Sequence, residues 1–368
     1  MLCNTKQWQF VFSRERPRFG RVCGRLLASL VATVLCMAVS LATAADPAPL
    51  LTLVADLPGA CRLAAPSTGQ TLYILDEVHG SVVAIDPFQP KRRWTALAAS
   101  PPNESGEVPP TPVAIGCIDS STLVLVCRAG KAWSIRTHRL AAPGSSTQSN
   151  APAQTLLLGE SLSDTTDTLA VDLVVSPSRE WLSVSGLPAP LPPVMRAPIA
   201  GLRVGTFSNR RCPKIPLPER PIATTISPFD EWVLLISPTL KNASNAYLSF
   251  YSNVGSQRLL HLDTGLCNVR DIGYCRGAST LWGVAGHNGF PNCPEGLWRI
   301  DATMKQGRQV VQAECVARLA APQSLVCLSE RAIAVVVGGE SRSVVLINPT
   351  VQGPAQKASS IELNADGK

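Results

Sequence analysis

The stretch Thr71–Asp86, TLYILDEVHGSVVAID, decides the architecture of this chain of 368 residues. Two runs of β-forming residues, Leu72–Leu75 and Ser81–Ile85, stand on either side of the short segment Val78–Gly80. An apolar-rich run, a glycine-containing turn and an alternating run are typical of a β-hairpin. Related hairpins recur along the chain at intervals of about fifty residues, so we predict a repeat fold.

Six copies of this pattern follow one another. In the first copy Pro66 stands six residues before Leu72, the apolar residue that opens the second strand. In the other five a Ser or Cys takes the place of the proline at the same spacing: Cys117 before Leu123, Ser176 before Leu182, Ser227 before Val233, Cys275 before Leu281 and Cys327 before Ile333. A third strand follows, with apolar residues two apart, such as Trp133 and Ile135. Residues at that spacing share one strand face, so we interpret them as core.

Each copy predicts a four-stranded unit of roughly 45 to 55 residues. One small twisted sheet cannot bury both faces alone, so such units pack around a common axis. The predicted fold class is all-β, a single β-propeller of six or seven four-stranded blades. We place six of them at 59–99, 110–158, 166–208, 220–266, 269–316 and 317–363. Leu50–Leu57 is predicted to close the ring by pairing with the last unit, around Ser359–Leu363.

The N-terminal segment has a different character. Six basic residues precede an uncharged apolar run, Leu26–Ala44, which ends in Ala42-Thr43-Ala44. These are the three parts of a secretory signal peptide, although the apolar run also approaches the length of an uncleaved anchor helix. We predict a signal peptide or anchor helix over 1–44, the propeller over 45–363 and a tail over 364–368. Both alternatives predict export to a periplasmic, secreted or cell-surface location; in the second, residues 26–44 hold the protein in the membrane.

Removal of residues 1–44 changes what charge and cysteine content imply. Lys plus Arg falls from 33 to 27 and Asp plus Glu from 26 to 25. The remaining chain is nearly neutral, so we predict no nucleic-acid partner. Nine of the twelve cysteines remain. We predict that these cysteines are small buried residues and that a few of them form disulfides. Because nine is an odd number, at least one thiol is free or pairs between chains.

Two repeats carry a family resemblance. The segments SPSREWLSV (176–184) and SPFDEWVLL (227–235) join Ser-Pro, a turn and an apolar strand, and TLYILDEVHGSVVAIDP adds an apolar-Asp ending. This order resembles the YVTN-type β-propeller repeats of exported proteins, which are similar in kind to NHL and WD repeats. The resemblance implies a propeller. It implies no particular activity or cofactor, because the family is functionally mixed. Cys replaces Ser in the second, fifth and sixth copies, and a Pro-rich insert departs from the pattern in the third.

Loop lengths favour one face of the propeller for binding. The connections between second and third strands are long at Leu187–Pro198, Thr239–Asn245 and Gly286–Gly296, and the links between repeats emerge on the same side. We call this side the long-loop face and predict that it binds a ligand. The alternative is a set of ordinary polar turns. The candidate ligand-binding residues are Arg196, Asn242, His287, Asn288, Phe290 and Asn292.

Catalytic signals are weak. We interpret His79, His138 and His261 as surface residues. The adjacent carboxylates Asp76-Glu77 and Asp230-Glu231 point to opposite strand faces and do not readily share one substrate. Nucleophile-elbow, HExxH, Walker and dinucleotide-binding sequences do not occur. We therefore predict no catalytic residues, no metal site and no cofactor.

Three functional hypotheses remain. The first is an exported, non-catalytic propeller scaffold that binds a protein or cell-envelope component through the long-loop face. The second is a propeller-type hydrolase or lactonase whose polar residues converge at the mouth of the central channel. The third is a structural subunit of an envelope assembly, in which the unpaired cysteine links chains.

Overall fold

The structure of this chain is a computed structural model. Outside the termini, the structure describes residues 51–350 except for 100–108, 141–150, 163–170, 177, 200–220, 230, 237–245, 252–257, 276–277, 287–292, 306–307 and 340. The described residues form strands and turns, and none of their helical turns is long and apolar enough to cross a bilayer.

In the described part of the chain, twenty-three strands form six antiparallel sheets, the blades of one propeller. The first strand is β1 (Leu51–Asp56). Blade 1 is β2 (Ala60–Ala64), β3 (Leu72–Asp76), β4 (Ser81–Asp86) and β5 (Gln89–Leu97). Blade 2 is β6 (Thr111–Asp119), β7 (Thr122–Ala129), β8 (Ala132–Arg139) and β9 (Gln154–Glu160). Blade 3, as far as it is described, is β10 (Asp172–Val175), β11 (Trp181–Ser185) and β12 (Val194–Pro198).

The second half of the ring has the same plan. Blade 4 is β13 (Pro221–Ile226), β14 (Trp232–Ile236), β15 (Tyr247–Tyr251) and β16 (Arg258–Asp263). Blade 5 is β17 (Val269–Tyr274), β18 (Leu281–Ala285), β19 (Gly296–Lys305) and β20 (Arg308–Arg318). Blade 6 is β21 (Ser324–Ser329), β22 (Ala332–Val337) and β23 (Ser343–Ile347), with β1 as its fourth strand. The six-bladed, all-β prediction is therefore confirmed.

The first strand closes the ring against the last blade, as predicted, and its described partner is β23. β1 pairs antiparallel with β23, from Leu51 opposite Ile347 to Asp56 opposite Ser343. The predicted partner, Ser359–Leu363, lies outside the described residues, and the outer position expected for it is taken by β1. Closure by strands from both ends of the chain leaves no open gap between the first and last blades.

The core lies between neighbouring blades and follows the predicted alternation. Trp133 and Ile135, two apart on β8, are both fully buried, and Trp298 and Ile300 on β19 are buried as well. Each blade buries one face against the preceding blade and the other against the following one. This two-sided burial explains why β3 and β22 are buried along their whole length, and why β22 is apolar throughout.

Gly59, just before β2, is predicted to tolerate no side chain. A Cβ there would lie 1.8 Å from Oδ1 of Asp76, a buried carboxylate that accepts bonds from the amides of Val78 and His79. Gly59→Ala is expected to lower the free energy of unfolding by about 2 kcal/mol, because the turn held by Asp76 has to shift. Urea denaturation measures the change. Gly339→Ala, whose Cβ would meet nothing within 4 Å, is the matched control, and equal stability of the two variants would contradict the prediction.

Candidate functional site: the central cavity

A cavity of about 200 Å³ lies where the innermost strands of all six blades meet. These strands, β2, β6, β10, β13, β17 and β21, contact one another in ring order. The cavity is lined by residues of each of them and by the turns that follow. It therefore occupies the propeller axis, the usual place for a site in this architecture.

Three charged side chains from alternate blades converge at one end of this cavity. Arg62 comes from blade 1, Asp172 from blade 3 and Asp271 from blade 5, and each is at most 8% exposed. A terminal nitrogen of Arg62 donates to the carbonyl oxygen of Val171 at 3.2 Å. Blades 1 and 3 are not neighbours, so this arginine reaches across the channel. We call these three residues the charged floor.

The two carboxylates of the charged floor are held in the same way. Asp172 accepts from the amide of Leu173 at 2.9 Å and, across to blade 4, from the amide of Thr224 at 3.0 Å. Asp271 repeats this arrangement with its own neighbour Ile272 at 2.8 Å. Its other oxygen accepts from the amide of Leu325 in blade 6, also at 2.8 Å. Each carboxylate thus fixes two neighbouring inner strands and is itself held in one orientation.

Burial and like charge perturb one of these acids. Burial raises the pKa of the Asp271 carboxyl to about 7, and the charge of Asp172 acts in the same direction. The Arg62 guanidinium, with hydrogen bonds from the amide of Leu325 and the side chain of Ser324, opposes that rise in pKa. Burial and the facing charge of Asp172 therefore both favour the protonated form of Asp271, and a single guanidinium opposes them.

The walls above the charged floor are mainly apolar. Val175 and Tyr274 are half-buried, and both line the cavity. Burial raises the pKa of the Tyr274 hydroxyl, which is therefore neutral at physiological pH. The remaining apolar lining includes Leu63, Ile115, Leu173, Ile226, Ile272 and Leu325. The site thus joins a wall of aliphatic side chains, interrupted by Ser67, Ser176 and Thr225, to one charged end.

The cavity extends toward the face opposite to the long-loop face. The charged floor lies in the first half of the inner strands, whereas the other lining residues lie at strand ends and in the short turns after them, such as Pro66, Ser176 and Pro228. Sequence reasoning missed this site. The sequence does hold one sign of it. A charged residue stands directly before an aliphatic one on three inner strands, in Arg62-Leu63, Asp172-Leu173 and Asp271-Ile272.

Of the site residues predicted from sequence, only Arg196 lies in the described part of the chain. The predicted loop Leu187–Pro198 is shorter in the structure, and Arg196 lies in β12 with 4% exposure. Its guanidinium carbon is 3.8 Å from the centre of the Trp181 ring, a cation–π contact. The loop assignment of Arg196 is therefore wrong, and its binding role stays a prediction. The other five predicted residues, Asn242, His287, Asn288, Phe290 and Asn292, lie outside the described residues.

Two histidine side chains, those of His79 and His138, are defined in the described ranges. No group of three His, Cys, Asp or Glu residues there is arranged to hold a metal ion. His79 is exposed, as predicted, with Nδ1 2.8 Å from the Asp76 carboxylate. His138 was predicted at the surface, but it is 6% exposed on β8, and burial lowers the pKa of its imidazole to about 4. It packs as a neutral core residue.

The described cysteines are buried or half-buried free thiols, so the predicted disulfides are not formed among them. Burial raises the pKa of the Cys61, Cys117 and Cys127 thiols to about 12, which makes them poor nucleophiles. Cys275 and Cys327, from blades 5 and 6, lie side by side in the cavity wall. Their contact adds to the packing between these blades.

Comparison with known proteins places the chain by fold alone. No protein-family model and no curated protein sequence matches it. Among solved structures it is similar to the PQQ-bound aldose sugar dehydrogenase of Streptomyces coelicolor, with 12% identity, 82% of this chain and 99% of that chain covered, and a TM-score of 0.52. A glucose dehydrogenase has the same identity and coverages with a TM-score of 0.53. Hydrazine synthase of Kuenenia stuttgartiensis has 14% identity, coverages of 83% and 81%, and a TM-score of 0.51. At these identities the similarity defines a six-bladed β-propeller and no activity.

Proposed function

We propose that this chain is an exported, non-catalytic β-propeller that binds a protein or a component of the cell envelope. The export proposal depends on the signal-like segment before Ala45. We further propose that a group of the bound component enters the central cavity. The long-loop face remains a second predicted surface, since most of its candidate residues lie outside the described part of the chain.

The observation that best supports a binding role is that backbone amides fix both carboxylates of the charged floor in one orientation. Both Asp172 and Asp271 accept hydrogen bonds from backbone amides of their own blade and the next. Because each carboxylate binds amides of two neighbouring blades, it maintains the spacing between their inner strands. A rigid cavity with an apolar wall and a fixed polar end suits recognition, because little ordering is needed when a ligand enters.

The test compares capture of the partner by three forms of the chain. Val175→Phe fills the cavity, because Val175 is half-buried in its wall. Leu157→Phe is the matched control, since Leu157 is 71% exposed on the outer strand β9. We expect the wild type and Leu157→Phe to capture the same component from the exported fraction, and Val175→Phe to capture at least about tenfold less.

Mass spectrometry identifies the captured component, and thermal unfolding verifies that both variants are folded. Equal capture by folded Val175→Phe and Leu157→Phe would move recognition away from the cavity. Absence of any component common to the wild type and Leu157→Phe would contradict the binding role.

Asp271 favours a second candidate, a hydrolase or lactonase with its site in the channel. A carboxyl group whose pKa is near neutral is matched to general acid–base work, and it lies beside a guanidinium able to stabilise negative charge. This candidate predicts turnover of simple esters or lactones by the wild type, and its loss by at least about a hundredfold in Asp271→Asn. Such turnover, retained in the control Asp263→Asn, would replace the binding proposal.

A further inference from the structure

The central cavity has two chemically different ends, and this asymmetry restricts what it can hold. The charged floor supplies two carboxyl groups and one guanidinium, all buried. The wall is formed largely by aliphatic side chains such as Leu63, Ile226 and Leu325, with the hydroxyl-bearing Ser67, Ser176 and Thr225 among them. A ligand that matches both ends has a hydrocarbon body and one polar head group.

The volume bounds the size of that ligand. A dry protein cavity of about 150 Å³ holds a benzene molecule, so the cavity of about 200 Å³ has room for about six to eight non-hydrogen atoms. This is a short alkyl chain with a head group, or the corresponding end of a larger molecule that emerges toward the short-turn face.

The charge balance at the floor selects the head group. Asp172 and Asp271 both act on the site, whereas Arg62 is the cation that acts on Asp271 from across the channel. One of its terminal nitrogens is already bound to the carbonyl of Val171. A second cation at this end therefore finds a carboxylate charge to compensate, whereas an anion faces two acids and one guanidinium that already binds a carbonyl.

The other ionisable groups that line the cavity lie at strand ends and in turns, away from the charged floor. Arg179 lies in the turn after β10, near the mouth and beside Cys117. Burial raises the pKa values of the thiols of Cys117 and Cys327 and of the Tyr274 hydroxyl, so all three are neutral at physiological pH. The excess of acids over cations is therefore confined to the charged floor, and Arg179 places a positive charge at the mouth.

We propose that the central cavity binds a small organic cation, a protonated amine on a hydrocarbon body of about six carbons. In this arrangement the ammonium group donates to the carboxyl groups of Asp172 and Asp271, and the chain packs against the aliphatic wall. The inference rests on the proposed binding function and names the chemical class that its cavity recognises. Free amines and amine-bearing ends of larger envelope components share this chemistry.

The test uses three probes of one size, n-hexylamine, 1-hexanol and hexanoate, titrated calorimetrically into the full exported chain. The ammonium gains charge-assisted hydrogen bonds that the alcohol lacks, so we expect the amine to bind at least about tenfold more tightly than the alcohol. Hexanoate is expected to bind most weakly. An amine no tighter than the alcohol, or hexanoate tightest of the three, would overturn the proposal without any variant.

The pH dependence of binding and the substitution of Asp271 test whether the amine binds at the charged floor. The affinity for hexylamine is expected to rise between pH 6 and pH 8, because Asp271 loses its proton in this range, whereas 1-hexanol binds with the same affinity throughout. Asp271→Asn is expected to remove the preference for the amine. Asp263→Asn, at an exposed position on β16, is expected to keep it. A pH-independent preference, or one retained in Asp271→Asn, would locate the amine elsewhere and overturn the proposal.

Failure of this inference is separable from failure of the proposed function. Cavity-dependent capture of a partner combined with no preference for the amine would remove the ligand class and leave the binding role. Binding of hexylamine without any captured partner would do the reverse. The capture experiment on Val175→Phe and the probe series therefore report on different statements.

Discussion

Val54→Asp is expected to lower the free energy of unfolding by about 4 kcal/mol, one of the largest single-residue effects in this chain. Val54 is buried in β1, the strand that closes the ring against β23. Aspartate there forfeits about 2 kcal/mol of valine burial. It also places a charge without a partner in the core, which costs a further few kcal/mol. Urea denaturation of the wild type and the variant measures the loss.

The neighbouring residue provides the control. Leu53 is 56% exposed on the same strand, so Leu53→Asp is expected to change stability by less than about 0.5 kcal/mol. Similar losses in the two variants would mean that β1 is not packed as described. No loss in either would mean that the ring is stable without its closing strand.

The surroundings of β1 explain why this strand has so large an effect. Beyond it, the amide of Leu57 donates to the carbonyl oxygen of Arg342 at 3.1 Å, and the guanidinium of Arg342 binds the carbonyl oxygen of Ala60 and the carboxylate of Glu77. One junction therefore joins the last blade to the first. Loss of β1 also leaves β23 as an unpaired edge, so we expect Val54→Asp to associate more readily than Leu53→Asp.

Local sequence was sufficient to predict the blades. A hairpin such as Thr71–Asp86 signals itself through a glycine turn and apolar runs on either side, and its strands pair within a few residues of each other. The same holds for Trp133 and Ile135, whose spacing of two placed them on one buried face. Local pairing repeated six times fixes a propeller, because each blade needs a neighbour to cover it.

Features that depend on distant pairing were not predictable in this way. The partner of β1 lies almost three hundred residues away along the chain, and a strand pattern does not identify its partner at that range. Arg62 reaches a carbonyl 109 residues away, so the charged floor exists only once the ring has closed. Arg196 was assigned to a loop because prolines surround it, whereas tertiary packing places it in β12.

Arg62→Leu is expected to be the second large perturbation, because it leaves two buried carboxyl groups without their cation. Removing one partner of a buried charged set costs about 3 to 5 kcal/mol, and we expect a loss of this size at pH 8. Arg93→Leu, which removes an exposed arginine from β5, is the matched control and is expected to change stability by less than about 0.5 kcal/mol.

The pH dependence of Arg62→Leu follows from the state of Asp271. Burial and the charge of Asp172 raise its folded-state pKa above the unfolded value, and Arg62 opposes that rise. Between the unfolded and folded pKa values the folded protein holds a proton that the unfolded chain has released, so stability falls as pH rises through this window. Without Arg62 the folded pKa rises further, and the decline becomes larger and extends to higher pH.

The loss caused by Arg62→Leu is therefore expected to be smaller at pH 5 than at pH 8, and Asp271→Asn in the same chain is expected to recover part of it at pH 8. Urea denaturation of the single and double variants at both pH values measures these differences. An equal loss at pH 5 and pH 8, with no recovery in the double variant, would mean that Arg62 stabilises the ring through its packing and its bond to Val171. In that case the positive charge of Arg62 would not contribute to stability by compensating Asp172 and Asp271.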